Sequence, residues 1–68
     1  MTSTTFAVTG MTCEHCEASV REEVSEIPGV SDIQVSADNG VLVVTGEGVD
    51  EAAVLAAVTE AGYTASLA

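Results

Sequence analysis

Residues 10–17, GMTCEHCE, contain most of the side chains in this sequence that could bind a soft metal ion. They include both cysteines, Cys13 and Cys16, the single histidine, His15, and Met11, which is one of two methionines. Thiolates and thioethers are soft ligands, and imidazole is a borderline one. The segment could therefore form a disulfide, a redox-active dithiol, a zinc site or a site for a thiophilic ion.

Three of these uses meet physical objections. A disulfide between residues three apart would close a very small loop and stabilise the fold little. A structural zinc ion takes four protein ligands, whereas this chain offers two thiols and one imidazole, His15, placed between them. A C-x-x-C pair at a helix start favours redox chemistry. However, thioredoxin-type dithiols have a proline-containing pair between the cysteines. Here the intervening residues are Glu14 and His15, and the single proline, Pro28, lies at the far end of the predicted helix.

Transient binding of a thiophilic ion fits the two thiols best. Cu(I) accepts low coordination by soft sulfur ligands, so two thiolates can suffice. A helix N-terminus stabilises thiolate anions electrostatically. With Cys13 in a loop and Cys16 in the first helical turn, both sulfurs could reach one ion at the surface, where it could be handed on.

The first half of the chain predicts a strand followed by a helix. Residues 4–9 alternate, with Phe6 and Val8 on one face, as in a strand. Over residues 14–27 the spacing becomes helical, with an apolar stripe of Cys16, Val20, Val24 and Ile27. Four charged residues of this helix lie off the stripe and are expected to face solvent: Glu17, Arg21, Glu22 and Glu26.

The second half predicts a hairpin, a helix and a last strand. The predicted elements are strands over 32–36, 41–45 and 63–67 and a helix over 51–61. DNG at residues 38–40 is a tight-turn signal, Asp50 can cap the second helix, and Gly62 can end it. The order βαββαβ predicts an α+β, ferredoxin-like fold in one domain, residues 1–68. In this fold, two helices cover one face of a four-stranded antiparallel sheet.

Charge and composition limit the partners of this chain. Eleven acidic residues face a single basic one, Arg21, for a net charge of −10. Nucleic acid is excluded as a partner because nothing is available to neutralise phosphates, and anionic membrane surfaces are disfavoured. A protein partner should present a basic face. Alternatively, the acidity serves solubility. With no signal peptide or membrane-spanning run in the sequence, we expect a cytoplasmic protein.

The motifs together resemble the heavy-metal-associated domain family, which includes cytosolic copper chaperones and N-terminal modules of copper-transporting P-type ATPases. GMTCEHC at residues 10–16 resembles its G-M-[T/S]-C-x-x-C signature. IPGV at 27–30, the pattern V-x-x-D-N-G-V-L-V-V at 35–44 and EAGY at 60–63 resemble other recurrent blocks. The resemblance implies the ferredoxin-like fold, one Cu(I) held by two cysteine thiolates, and transfer to an ATPase metal-binding domain by ligand exchange.

The resemblance also implies roles for individual residues. Cys13 and Cys16 are the expected metal ligands, and Cys13 is expected to meet a partner thiolate first. Met11 is expected to pack in the core and anchor the loop. Thr12 can cap the helix, and it lacks the carboxylate that zinc- and cadmium-type relatives often have at this position, which favours Cu(I). Tyr63 is expected near the loop, where it could shield the ion or pack as a strand residue.

Several functional alternatives stay open at this point. His15 is expected to tune the thiols or the acid response of the site, or to be inert, rather than to bind the ion. Zn(II) or Hg(II) could bind in vitro, and a metal-bridged homodimer is plausible. The chain could also be an excised ATPase module, a mercury-binding relative or a thiol-disulfide oxidoreductase. We nevertheless expect no enzyme activity, since the sequence contains no catalytic constellation.

Overall fold

The computed structural model describes residues 2–11 and 14–68; for Glu14 it describes the backbone alone. The elements in chain order are β1 (Thr2–Thr9), α1 (Glu14–Ser25), β2 (Val30–Ser36), β3 (Val41–Gly46), α2 (Glu51–Glu60) and β4 (Thr64–Leu67). The strands form one sheet in the order β2-β3-β1-β4, and each neighbouring pair is antiparallel. The predicted βαββαβ order and ferredoxin-like fold are confirmed.

Both helices cover the same face of the sheet. Alternation places Phe6 and Val8 of β1 under the helices together with Leu42 and Val44 of β3. The stripe of α1 packs on them, and α1 also contacts β2 and α2. The fully buried side chains are Phe6, Leu42, Val20, Val24, Val44, Val54 and Val58. Burial of each such side chain stabilises the fold by roughly 1.5–3 kcal/mol before entropy is counted.

The helix α1 ends two residues earlier than predicted. The amides of Glu26 and Ile27 donate to carbonyls three residues back, those of Glu23 and Val24, at 3.3 and 3.1 Å. This tighter turn ends the helix before Pro28. Ile27 is still partly buried against the core, so the predicted stripe is correct although the helix bound is not.

The caps of α2 agree with the prediction at both ends. The Asp50 side chain accepts a hydrogen bond from the Ala52 amide at 3.0 Å. At the other end, Gly62 has a φ of +97°. The amides of Gly62 and Tyr63 donate to the carbonyls of Thr59 and Val58, at 2.9 and 3.1 Å, which is the Schellman arrangement.

This cap also explains why β4 begins one residue later than predicted. The Tyr63 amide bonds to the helix, so the strand begins at Thr64. At the far end of β4, Leu67 lies at the edge of the sheet and is 56% exposed. In the described part of the chain, no helix is long and apolar enough to cross a membrane.

Candidate metal site

Residues 10–16, the cysteine segment, follow β1 and extend into the first turn of α1. Gly10 follows β1 with a φ of +97°, a conformation that side chains other than glycine rarely adopt. Met11 then enters the core and is 7% exposed. The helix begins at Glu14 and carries Cys16 in its first turn. Both described flanks of the segment are therefore fixed by packing.

Cys16 is the one predicted ligand whose surroundings the structure describes. It is 8% exposed and belongs to the core cluster, as the first residue of the apolar stripe of α1. Thr12 and Cys13 lie outside the described residues, so the predicted cap and the second predicted ligand stay predictions. A site that includes Cys16 would border the apolar core on one side, which limits the access of water to that side of an ion.

Tyr63 lies beside the start of the cysteine segment. Its Cδ1 atom is 3.3 Å from the position that a Cβ atom would take at Gly10. The side chain is partly buried against the core. The α2 cap places this residue, because the Tyr63 amide bonds to the Val58 carbonyl. The ring therefore packs over Gly10, at the same end of the molecule as Met11.

His15 lies on the surface of α1. Its side chain is exposed, between the core residue Cys16 and the start of the helix. Its predicted tuning of the thiols stays a prediction. Among residues 2–11 and 15–68, no three side chains of the His, Cys, Asp and Glu types come together in a way that could hold a metal ion.

Of the four charged residues that were expected to face solvent, Glu22 and Glu26 are exposed. The other two, Glu17 and Arg21, make contacts that the sequence did not predict. Glu17 is half-buried instead, and its carboxylate accepts a hydrogen bond from the Ala37 amide at 2.6 Å. The exposed Arg21 donates to the Ile33 carbonyl at 2.8 Å. Helical periodicity separates faces of one helix but gives no information on partners 12 or 20 residues away, so these contacts were missed.

Comparison with known proteins assigns the family. The heavy-metal-associated domain family matches residues 5–64, which is most of the chain and includes the cysteine segment. The chain belongs to the heavy-metal-associated domain family. These domains are metal-binding modules, and the family match agrees with the βαββαβ fold described above.

The curated relatives of this heavy-metal-associated domain are parts of larger proteins. A mercuric reductase of Acidithiobacillus ferrooxidans is 41% identical over 61 residues, covering 88% of this chain and 11% of the reductase. A copper-transporting ATPase 1 of Rhizobium meliloti is 38% identical over 60 residues, covering 85% of this chain and 7% of the ATPase. The chain thus spans only a small fraction of these relatives.

Solved structures of similar domains are associated with more than one metal. A copper-binding domain of the P-type ATPase HMA7 superposes with a TM-score of 0.94 at 27% identity, covering 100% of this chain and 95% of that one. The CopZ metallochaperone superposes with a TM-score of 0.90 at 27% identity, covering 96% of this chain and 100% of that one. The Zn(II)-form of the ZntA N-terminal domain superposes with a TM-score of 0.89 at 31% identity, covering 96% of this chain and 89% of that one. Similarity of fold alone therefore does not select the metal.

Proposed function

We propose that this heavy-metal-associated domain is a Cu(I) metallochaperone that uses Cys13 and Cys16 as its two ligands. The observation that carries the proposal is the family match over residues 5–64 with a C-x-x-C pair between β1 and α1. Copper is the cargo of this domain, and the proposed recipient is the metal-binding domain of a copper-transporting P-type ATPase. The likeness to CopZ over nearly the full length of both chains supports this reading.

The donor set favours Cu(I) over harder ions. Two thiolates satisfy a low-coordinate Cu(I) ion, whereas Zn(II) takes four ligands. Thr12, just before Cys13, has no carboxylate with which to extend the coordination. Zn(II) and Hg(II) are expected to bind the isolated protein in vitro, since both are thiophilic.

Transfer would proceed by exchange of sulfur ligands. A thiolate of the partner forms a bond to the ion, and Cys13 is the first ligand of this domain to be replaced. A second partner thiolate then replaces Cys16. Each partner thiol loses a proton as it binds, and each released sulfur of this domain takes one up. Copper remains Cu(I) throughout, so no oxidant or reductant is required.

The charge of the molecule supports a basic partner surface. A net charge of −10 attracts a positively charged face and accelerates encounter at low ionic strength. Such a role fits the cytoplasm, where thiols stay reduced. A dimer of this domain bridged by shared copper is a further proposal, because sulfurs that bind one ion as thiolates retain lone pairs.

A second candidate is an Hg(II)-binding role. The similarity to mercuric reductases, 41% identity over 61 residues for that of Acidithiobacillus ferrooxidans, supports this role. Two thiolates also suit Hg(II). In the same way, the chain could serve as a module of a copper ATPase rather than as a separate carrier. A thiol-disulfide oxidoreductase is the remaining alternative, and an insulin-reduction assay is expected to give background activity.

Transfer of the ion tests the proposal. The Cu(I)-loaded protein is mixed with the apo metal-binding domain of a copper-transporting ATPase, the two are separated, and copper is measured in each. We expect copper to equilibrate between them faster than a small-molecule chelator strips it, and more slowly as salt is added. Retention of copper by the donor contradicts the chaperone role. Transfer of Hg(II), but not Cu(I), would favour the second candidate.

A further inference from the structure

The turn between β2 and β3, residues 37–40, contacts both flanks of the cysteine segment. On one side, the Glu17 carboxylate accepts a hydrogen bond from the Ala37 amide at 2.6 Å. Glu17 follows Cys16 directly in the first turns of α1. The bond is partly buried and joins residues 20 apart in sequence. It therefore ties the start of the helix to the hairpin rather than to its own element.

On the other side, the same turn is bonded to β1. The Val8 amide donates to the Gly40 carbonyl at 2.7 Å. Gly40 has a φ of +64°, and a Cβ atom there would lie 2.8 Å from the Val8 carbonyl oxygen. Val8 is two residues before Gly10, where the cysteine segment begins. The close approach leaves the turn little room to move relative to the end of β1.

Two long local contacts also join the turn to the end of β2. The Asn39 amide and the Asn39 side-chain nitrogen both lie 3.4 Å from the Ser36 hydroxyl oxygen. A turn held in this way can transmit position from one contact to the other. The end of β1 and the start of α1 are thus connected through the hairpin as well as through residues 10–13 of the chain.

We propose that Glu17 is a positioning residue for metal binding, because it fixes the first turn of α1, and with it Cys16, relative to the end of β1. This inference rests on the proposed function. The spacing of two thiolates around one ion depends on where the two flanks of the segment are held. Groups that orient ligands typically change metal affinity by about 10- to 100-fold when removed.

Three variants separate the hydrogen bond from the charge. Glu17→Ala removes both, while Glu17→Gln removes the charge and keeps an oxygen that can accept from the Ala37 amide. Glu22→Ala is the matched control, since it removes the same charge from an exposed position of the same helix. Removing an anion near thiolates favours the thiolates, so a charge effect alone would strengthen Cu(I) binding in Glu17→Ala and Glu17→Gln alike.

The experiment measures Cu(I) affinity by competition with a chelator, and amide NMR spectra and amide hydrogen exchange of the apo proteins. We expect Glu17→Ala to bind Cu(I) about tenfold more weakly than wild type. Glu17→Gln should recover most of this loss, and Glu22→Ala should match wild type. In apo Glu17→Ala, the Ala37 amide should exchange faster, and the amide resonances of Met11 and Cys16 should shift.

Equal Cu(I) affinities for Glu17→Ala and Glu17→Gln would overturn the inference, as would an unchanged Met11 amide resonance in Glu17→Ala, since Met11 is remote from residue 17 in sequence. A loss of global stability alone lowers apparent affinity only if unfolded protein becomes populated, and it leaves the Met11 resonance of the folded protein in place. If wild type fails to retain Cu(I), the proposed function fails. The apo spectra then still decide whether Glu17 positions the helix.

Discussion

Met11 and Cys16 place the cysteine segment against the core. Met11 is 7% exposed and Cys16 is 8% exposed, and both belong to the same apolar cluster. Thioethers are soft ligands, so the chemistry of Met11 alone suggested a third metal ligand. Its burial supports instead the anchoring role implied by the family resemblance. The two residues together define the inner wall of the proposed site.

Substitution of Met11 tests this assignment. Met11→Leu conserves volume and should cost less than about 1.5 kcal/mol of unfolding free energy. Met11→Ala leaves a cavity and should cost about 2–5 kcal/mol. Urea unfolding measures both values. The Cu(I) affinity of Met11→Leu should equal that of wild type, and a clear loss of affinity in this variant would identify Met11 as a ligand.

The sequence predicted residue positions better than residue contacts. The core residues Phe6, Val20 and Val24 follow from alternation and helical spacing, because burial repeats with the period of the element. The Glu17 carboxylate could not be placed in this way. It lies beside the apolar stripe, and its partner, Ala37, becomes a neighbour only when the hairpin folds against α1.

At the scale of elements, the chain ends its helices by different means. The α1 helix ends in a tighter turn before Pro28, whereas α2 ends in a Schellman arrangement at Gly62. Proline and glycine predicted where each helix stops to within two residues. The exact bounds depend on amides such as that of Tyr63, whose choice between helix and strand is decided by tertiary packing.

The cap of α2 by Asp50 can be tested by substitution. Its side chain caps α2 through the Ala52 amide at 3.0 Å. Asp50→Ala should lower the free energy of unfolding by about 1 kcal/mol, because one amide loses its acceptor. Asp50→Asn keeps an acceptor and should retain most of that stability. Chemical denaturation compares the two, and equal losses would assign the effect to the charge at the helix N-terminus instead.

At the scale of the whole molecule, one end of the fold gathers the features of the proposed site. The start of α1, the end of β1 and the residue after the α2 cap, Tyr63, meet around Gly10 and Met11. The βαββαβ order brings them together although Tyr63 is more than 50 residues from Gly10 in sequence. Within residues 2–11 and 14–68, both helices pack on one face of the sheet and none packs on the other.

The acidic charge acts at this scale as well. A net charge of −10 with one basic residue disfavours binding to nucleic acid, and a basic protein surface is the proposed partner. The net charge follows from composition, so the sequence alone gives it. The sequence does not identify the metal in the same way, because relatives of this domain are named for copper, mercury and zinc.

Competition for Cu(I) tests the account most directly. The reduced apo protein is titrated with Cu(I) in the presence of a chromogenic chelator, and Cys13→Ala and Cys16→Ala variants are titrated in parallel. Wild type should withhold one Cu(I) per chain from the chelator, while each variant should lose more than about 100-fold in affinity, which exceeds the effect of removing a group that only orients a ligand. Failure of wild type to compete even with a weak chelator, or undiminished binding by both variants, would contradict the proposed function.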